Sequence, residues 1–300
     1  MPQKRLITIS SDHLVAEVST IGAELHSLAD NKGRQLIWDG DPAFWTGRAP
    51  ILFPIIGLLE HGRYRLGEQF YKLPKHGFAR HSVFELVERQ PDAATFRLCA
   101  SDATRAAYPF KFVLDVRFSL KSAQLTVAAT ISNASDAAMP ASFGFHPAFR
   151  WPLPFGQPRS DHRISFEHQE TAPVRRINAE GLLLTEPQKT PIGGNSLKLR
   201  DALFLDDALI FDHLKSSRLN YGAGTGPQIE VDFADFPVLG VWTKPDAEFV
   251  CIEPWQGLPD PAGYSGDIFD KPGIISIAPG GSKRLAMTIS VLDKVTQAEF

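Results

Sequence analysis

Two consecutive runs, FKFVLDVRFSL (110–120) and QLTVAATIS (124–132), decide the reading of the fold. In the first, Phe110, Phe112, Leu114, Val116, Phe118 and Leu120 occupy every second position, with Lys111, Asp115, Arg117 and Ser119 between them. Successive strand side chains point to opposite faces, so this spacing makes one apolar and one largely polar face. Leu125, Val127, Ala129 and Ile131 repeat the pattern in the second run.

The same period of two recurs outward from this pair. LITIS (6–10) and HLVAEVS (13–19) read as a hairpin across a short polar turn. Further short runs include SVFELVE (82–88), ATFRLCA (94–100), HRISFEH (162–168), QIEVDF (228–233), VLGVWTK (238–244) and KRLAMTISVL (283–292). Gly and Pro, 23 of each, punctuate them. Helical candidates at 101–108 and 201–206 are short, and no βαβ alternation appears. Many short strands with turn signals predict an all-β protein, a large antiparallel β-sandwich. The Pro-rich WPLPFGQP (151–158) reads as a long ordered loop. No shift in composition marks a linker, so residues 1–300 are expected to form a single domain.

Charge and cysteine usage narrow the function classes. A net charge of -3 offers no broad basic field for nucleic acid. No apolar stretch approaches the ~20 residues of a membrane-spanning helix, and MPQKRLITIS lacks the apolar core of a signal peptide. Two cysteines make no disulfide framework, so a cytoplasmic location is expected; a monomer or homodimer is expected, with no pattern in the sequence deciding between them. Nucleotide-binding, zinc-protease, redox and serine-hydrolase motifs are absent. His162 and His168 share a strand face without a third ligand nearby in sequence, so no metal site is expected.

Polar residues inside apolar, turn-rich segments remain. In FVCIEPW (249–255), alternation puts Phe249, Cys251 and Glu253 on one face and Val250 and Ile252 on the other. A buried unpaired carboxylate costs several kcal/mol, so Glu253 must be paired, hydrogen-bonded or facing a cavity. In SFGFHPAFRW (142–151), His146 points away from Phe143 and Phe145. Pro147 and Pro254 are expected to end their strands, leaving His146 and Glu253 at strand ends. KHGFAR (75–80) adds His76 and Arg80. Two histidines and a carboxylate suit general acid–base work, and the aromatic residues around them suit the C–H faces of a sugar.

In order, TIGAELHSL (20–28), LIWDGDPAFW (36–45), GRAPILFPIIG (47–57), LPKHGFAR (73–80), FGFHPAF (143–149), DDALIFDHL (206–214), LGVWTK (239–244), FVCIEPWQGLPD (249–260) and GIISIAPGGS (273–282) resemble the aldose 1-epimerase (galactose mutarotase-like) family, in particular its LacX-like branch. The resemblance covers nearly the whole chain. It implies the galactose mutarotase type of β-sandwich and interconversion of the α and β anomers of a free aldohexose. It implies Glu253 as catalytic base, His146 as general acid and His76 as second active-site histidine. Asp207, Arg80, Arg48 and Trp255 are the implied or candidate sugar-binding residues. Neither cofactor nor metal is implied, because only protons move. The chain departs from the branch at FPIIGLL (53–59), where Leu58 stands in place of an expected arginine. Two other substrate readings follow the same residues. One is a hexose 6-phosphate held by Arg48, Arg63, Arg65 and Arg80; the other is a non-catalytic sugar-binding or sensing protein. A glycoside hydrolase would want two carboxylates facing one bond, and one stands out.

Overall fold

The computed structural model describes residues 4–293. The run at 110–120 folds as the strand Phe112–Lys121, whose even-numbered residues are buried up to Leu120, and pairs antiparallel with Gln124–Asn133. These two strands lie within a nine-stranded antiparallel sheet. Its order is Ser196–Lys198, His162–Phe166, Arg218–Ala223, Gln228–Asp232, Ser282–Leu292, Gln124–Asn133, Phe112–Lys121, Ala93–Cys99 and Glu85–Arg89.

A second antiparallel sheet runs Leu209–Phe211, Val238–Trp242, Phe249–Gln256, Phe143–Phe145 and Ile51–Leu52, with Ala148–Arg150 also paired to Phe249–Gln256. Val116, Phe118, Val127 and Ile289 of the large sheet share one hydrophobic cluster with Phe143, Phe145, Leu239, Val250 and Ile252 of the second. Two sheets packed through their apolar faces are a β-sandwich, as the periodicity predicts. Leu6–Ser10, Leu14–Ser19 and Leu25–Asp30 form a separate three-stranded sheet, and the first two pair as the predicted hairpin.

The helical candidates shrink to an α-helix at Asp102–Ala107, capped by Ser101, and a 3-10 turn at Asp201–Phe204. Among the described residues no helix is long and apolar enough to cross a membrane. Strands that sequence periodicity does not mark, such as Ile51–Leu52, Met139–Ala141 and Leu209–Phe211, have two or three residues. They are too short to display an alternation.

The strand Phe249–Gln256 is buried on both faces. Val250 and Ile252 enter the main core, whereas Phe249 and Cys251 pack in a small cluster with Trp38, Trp45 and Trp242. Glu253 continues the second row. The second sheet therefore covers the core with one face and floors a cavity with the other.

Candidate active site

Pairing around Glu253 explains its placement. On one side the ladder puts Gly240 opposite Glu253. On the other, Gly144 pairs with Trp255 and Ala148 with Cys251, so the break at His146–Pro147 falls beside Glu253. The Ile252 N–H points to this side and donates to the Pro147 carbonyl at 3.2 Å. Pro254, two residues on, turns its missing N–H to the same side, opposite the break. The proline therefore interrupts no ladder bond, and the strand runs on to Gln256 rather than ending at Pro254 as expected. His146 does lie just past its strand end.

Glu253 Oε2 and His146 Nε2 are 3.1 Å apart, at the floor of a cavity of about 200 Å³. Glu253 is 1% exposed and His146 7%. The pair is within ion-pair distance but outside hydrogen-bonding geometry, and Glu253 Oε2 and His146 Nδ1 have no hydrogen-bond partner. Desolvation pushes the Glu253 carboxyl well above the usual carboxylate range, and Asp207 adds to this. Lys75 acts in the opposite sense, as does the nearby Trp255 indole N–H, although it too lies outside hydrogen-bonding geometry. Burial lowers His146 to about 3, with Lys75 and Arg80 acting in the same direction. In the free site the imidazole is therefore neutral.

His76 lines the same cavity, its ring centroid 5.8 Å from that of His146 and edge-on to it. Its backbone is left-handed, with φ +65°, uncommon outside glycine. Two hydrogen bonds to Gly57 hold it: the His76 N–H donates to the Gly57 carbonyl at 2.8 Å, and the Gly57 N–H donates to His76 Nδ1 at 3.1 Å. Because Nδ1 accepts, the ring proton of neutral His76 is on Nε2. Burial, and then the charges of its neighbours, keep this histidine neutral.

Asp207, Arg80 and Trp255 also line the cavity. Asp207 adopts φ +64°, and its Oδ1 accepts the Ala208 N–H at 2.7 Å. Buried Arg176 donates to the carbonyls of Asp207 and Leu203 and so fixes the Asp207 loop. Arg80 donates to His81 Nε2 at 3.0 Å and forms no carboxylate ion pair among the described residues. Trp255 lies flat between Gly144 and Gly240; a Cβ at either glycine would come within 2.7 Å of its indole. Its Nε1 is buried without a partner.

Arg48 stands apart from the sequence expectation. It is absent from the cavity lining; its Nη1 donates to the His26 carbonyl at 3.1 Å. Arg63 and Arg65 are also elsewhere: Arg63 stacks 4.5 Å over Phe70, and Arg65 donates to the carbonyls of Ser265 and Gly67. Leu58 faces Gly181 in an outer cavity of about 620 Å³. This outer space shares Lys75, Ile177, Gly181, Asp207 and Trp242 with the inner one. Phe145, Phe149 and Trp151 belong to the core.

Sequence reasoning misses three polar or aromatic lining residues. Trp45 stacks on His146 at 5.0 Å, Trp242 meets it edge-on at 6.1 Å, and Lys75 adjoins both cavities. Lys75 adjoins His76 in the quoted motif, and Trp242 lies in a quoted strand, but nothing in either pattern reveals which way the side chain faces. His162 is structural: its Nε2 accepts the Leu153 N–H, and its Nδ1 donates to the Pro158 carbonyl. Among the described residues the donor set with metal-ligand character is instead His146, Cys251 and Glu253, whose donor atoms all lie within 4.8 Å of one another.

The structure is thus a β-sandwich whose second sheet floors a cavity lined by a carboxylate–imidazole pair, indole rings and further carboxylate and guanidinium groups. The profile of the aldose 1-epimerase family matches residues 5–273, and the chain belongs to that family. It is 31% identical over 297 residues to the plasmid-borne Protein LacX of Lactococcus lactis subsp. lactis, covering 96% of this chain and 99% of that one. The chromosomal LacX of the same organism is equally similar. Among solved structures, a galactose mutarotase-like protein from Lactobacillus casei superposes with a TM-score of 0.89 at 30% identity, covering 96% of this chain and all of that one. A galactose mutarotase related enzyme from Lactobacillus acidophilus gives the same TM-score at 28% identity, covering 99% of this chain and all of that one.

Proposed function

We propose that this protein is a cofactor-independent aldose 1-epimerase that interconverts the α and β anomers of a free aldohexose. The observation that carries this reading is the 3.1 Å approach of Glu253 to His146 on a cavity floor where neither group has satisfied its polar atoms. The pair works with one proton between its two members. In the empty site desolvation favours that proton on Glu253, with His146 neutral. Sugar hydroxyls that solvate the carboxylate move the proton to His146.

Glu253 then removes the proton of the C1 hydroxyl while the His146 imidazolium protonates the ring oxygen O5. The C1–O5 bond breaks, and the C1 oxygen becomes the carbonyl of an open-chain aldehyde. The proton is now on Glu253 and His146 is neutral, the arrangement that the desolvated site favours. Rotation about C1–C2 and the reverse transfers close the ring on the other face. His76 Nε2–H holds an oxygen at the reacting centre, and Asp207 and Arg80 bind hydroxyls. Each proton-transfer group contributes about 10²–10⁴ in rate.

A free sugar is favoured over a hexose 6-phosphate because three of the four arginines suited to a phosphate-binding rim are absent from the inner cavity lining. Polarimetry of freshly dissolved α-glucose and α-galactose tests the function: the protein should accelerate the approach to anomeric equilibrium. Sugar binding without acceleration would leave the non-catalytic reading instead.

A further inference from the structure

We propose that His146, Cys251 and Glu253 form a binding site for a thiophilic divalent cation, with Zn²⁺ as the best-fitting ion, and that its occupation blocks the sugar site. Cys251 and Glu253 are two residues apart on one face of the strand Phe249–Gln256, and His146 sits at the adjacent strand break. All three are buried, and their donor atoms lie within 4.8 Å of one another. Glu253 is 1% exposed and its Oε2, the atom that faces His146 Nε2, has no hydrogen-bond partner. Acid–base chemistry uses His146 and Glu253 but gives Cys251 no role.

Ligand chemistry selects the ion. A thiolate, an imidazole and a carboxylate with one open position suit Zn²⁺, whereas Mg²⁺ and Ca²⁺ require oxygen donors. Zn–N and Zn–O bonds of about 2.1 Å at a tetrahedral angle separate the two donors by about 3.4 Å. The observed separation of Glu253 Oε2 and His146 Nε2 is 3.1 Å. The Cys251 sulfur has to close by roughly 1 Å to complete the set, given a Zn–S bond of about 2.3 Å. On binding, the Cys251 thiol and a protonated Glu253 each release a proton to solvent, and the fourth position faces the cavity and takes a water. The ion would then occupy the two groups assigned to proton transfer.

Co²⁺ serves as the spectroscopic probe on the full chain. The site should give a saturable thiolate-to-cobalt charge-transfer band with one equivalent, and Zn²⁺ should displace it. Cys99 is exposed and free, so the band should persist in Cys99→Ser and vanish in Cys251→Ser. Cys251→Ala gives the same reading if the buried serine prevents folding. A band that depends on Cys99, or no band in the Cys99→Ser protein, would overturn the site. The inhibition arm rests on the proposed function: Zn²⁺ should arrest mutarotation, EDTA should restore it, and Cys251→Ser should need at least about 10 times more Zn²⁺, the smallest loss expected for even an outer-shell partner. Equal inhibition of the Cys251→Ser protein also overturns the proposal. If the protein proves to have no mutarotase activity, the cobalt band still decides the metal site.

Discussion

Glu253 and His146 face each other at 3.1 Å because the neighbouring strand breaks at His146–Pro147, directly beside Glu253. Their environment moves the two groups in opposite directions. Burial raises the carboxyl well above its ordinary range and lowers the imidazole to about 3. The pair therefore holds a single proton over a wide pH interval, and its titration steps belong to the pair.

That interval sets the pH dependence expected of the proposed reaction. With ordinary values of about 4.3 and 6.5 the pair would hold its single proton only between them, and activity would already be lost as pH rises past about 6.5. Burial inverts the order, and the pair keeps one proton until pH falls toward about 3. The activity kcat/KM should be retained between pH 7 and pH 5 and decline on the alkaline side, as the raised Glu253 carboxyl ionises and no proton remains for O5. A fall as pH rises through about 6.5 would show that His146 titrates as an ordinary solvated imidazole.

The same desolvation makes Glu253 costly to the fold. Its folded-state pKa is raised, so its stability contribution is present below the unfolded value of about 4.3 and lost as pH rises through the folded value. Glu253→Gln should then be more stable than the parent by about 1 kcal/mol or more near neutrality. The difference should shrink toward pH 4. Urea unfolding of both proteins at the two pH values measures it, and a destabilised variant at pH 7 would contradict it.

Asp207 is held in a left-handed conformation by Arg176 and by its bond to the Ala208 N–H. Asparagine tolerates the same backbone and keeps an acceptor oxygen. Asp207→Asn should therefore fold normally, retain kcat and raise KM by about tenfold, the loss of a charge-assisted hydrogen bond worth about 1.4 kcal/mol. A change in kcat alone would assign Asp207 to the chemistry rather than to binding.

At a separate cavity, Lys271 Nζ pairs with Asp260 Oδ1, both side chains almost fully buried. Asp260 Oδ2 also accepts the Glu60 N–H at 2.8 Å, and the Asp260 N–H donates to the Leu58 carbonyl at 2.9 Å. Removing one member of a buried pair leaves the other charge uncompensated. Lys271→Met should cost about 3–5 kcal/mol of stability, readable as a lower urea midpoint. A variant within about 1 kcal/mol of the parent would show that Asp260 is satisfied by its backbone bonds alone.

Strand alternation makes the sandwich legible because strands such as Phe112–Lys121 bury one face against the main core, and FKFVLDVRFSL writes that burial directly into the sequence. The same alternation places Glu253 opposite Val250 and Ile252. Two- and three-residue strands carry no such signal, and cross-strand neighbours are invisible to it. Trp45 and Trp242 meet His146 only through the pairing of distant segments. Arg48 and Arg80 look alike in sequence, yet one donates to the His26 carbonyl and the other lines the cavity, a difference fixed by tertiary contacts. Pro254 is the instructive exception: it signals a strand end, but the gap beside it already lacks a hydrogen-bond partner.

The most direct test of the central claim is magnetisation exchange between the α and β anomeric proton signals of glucose or galactose at equilibrium. It should be measured with the parent protein and with Glu253→Gln. The account predicts exchange cross-peaks with the parent protein and a rate lower by about 10²–10⁴-fold in the folded variant. Exchange at the parent rate in Glu253→Gln would contradict the account.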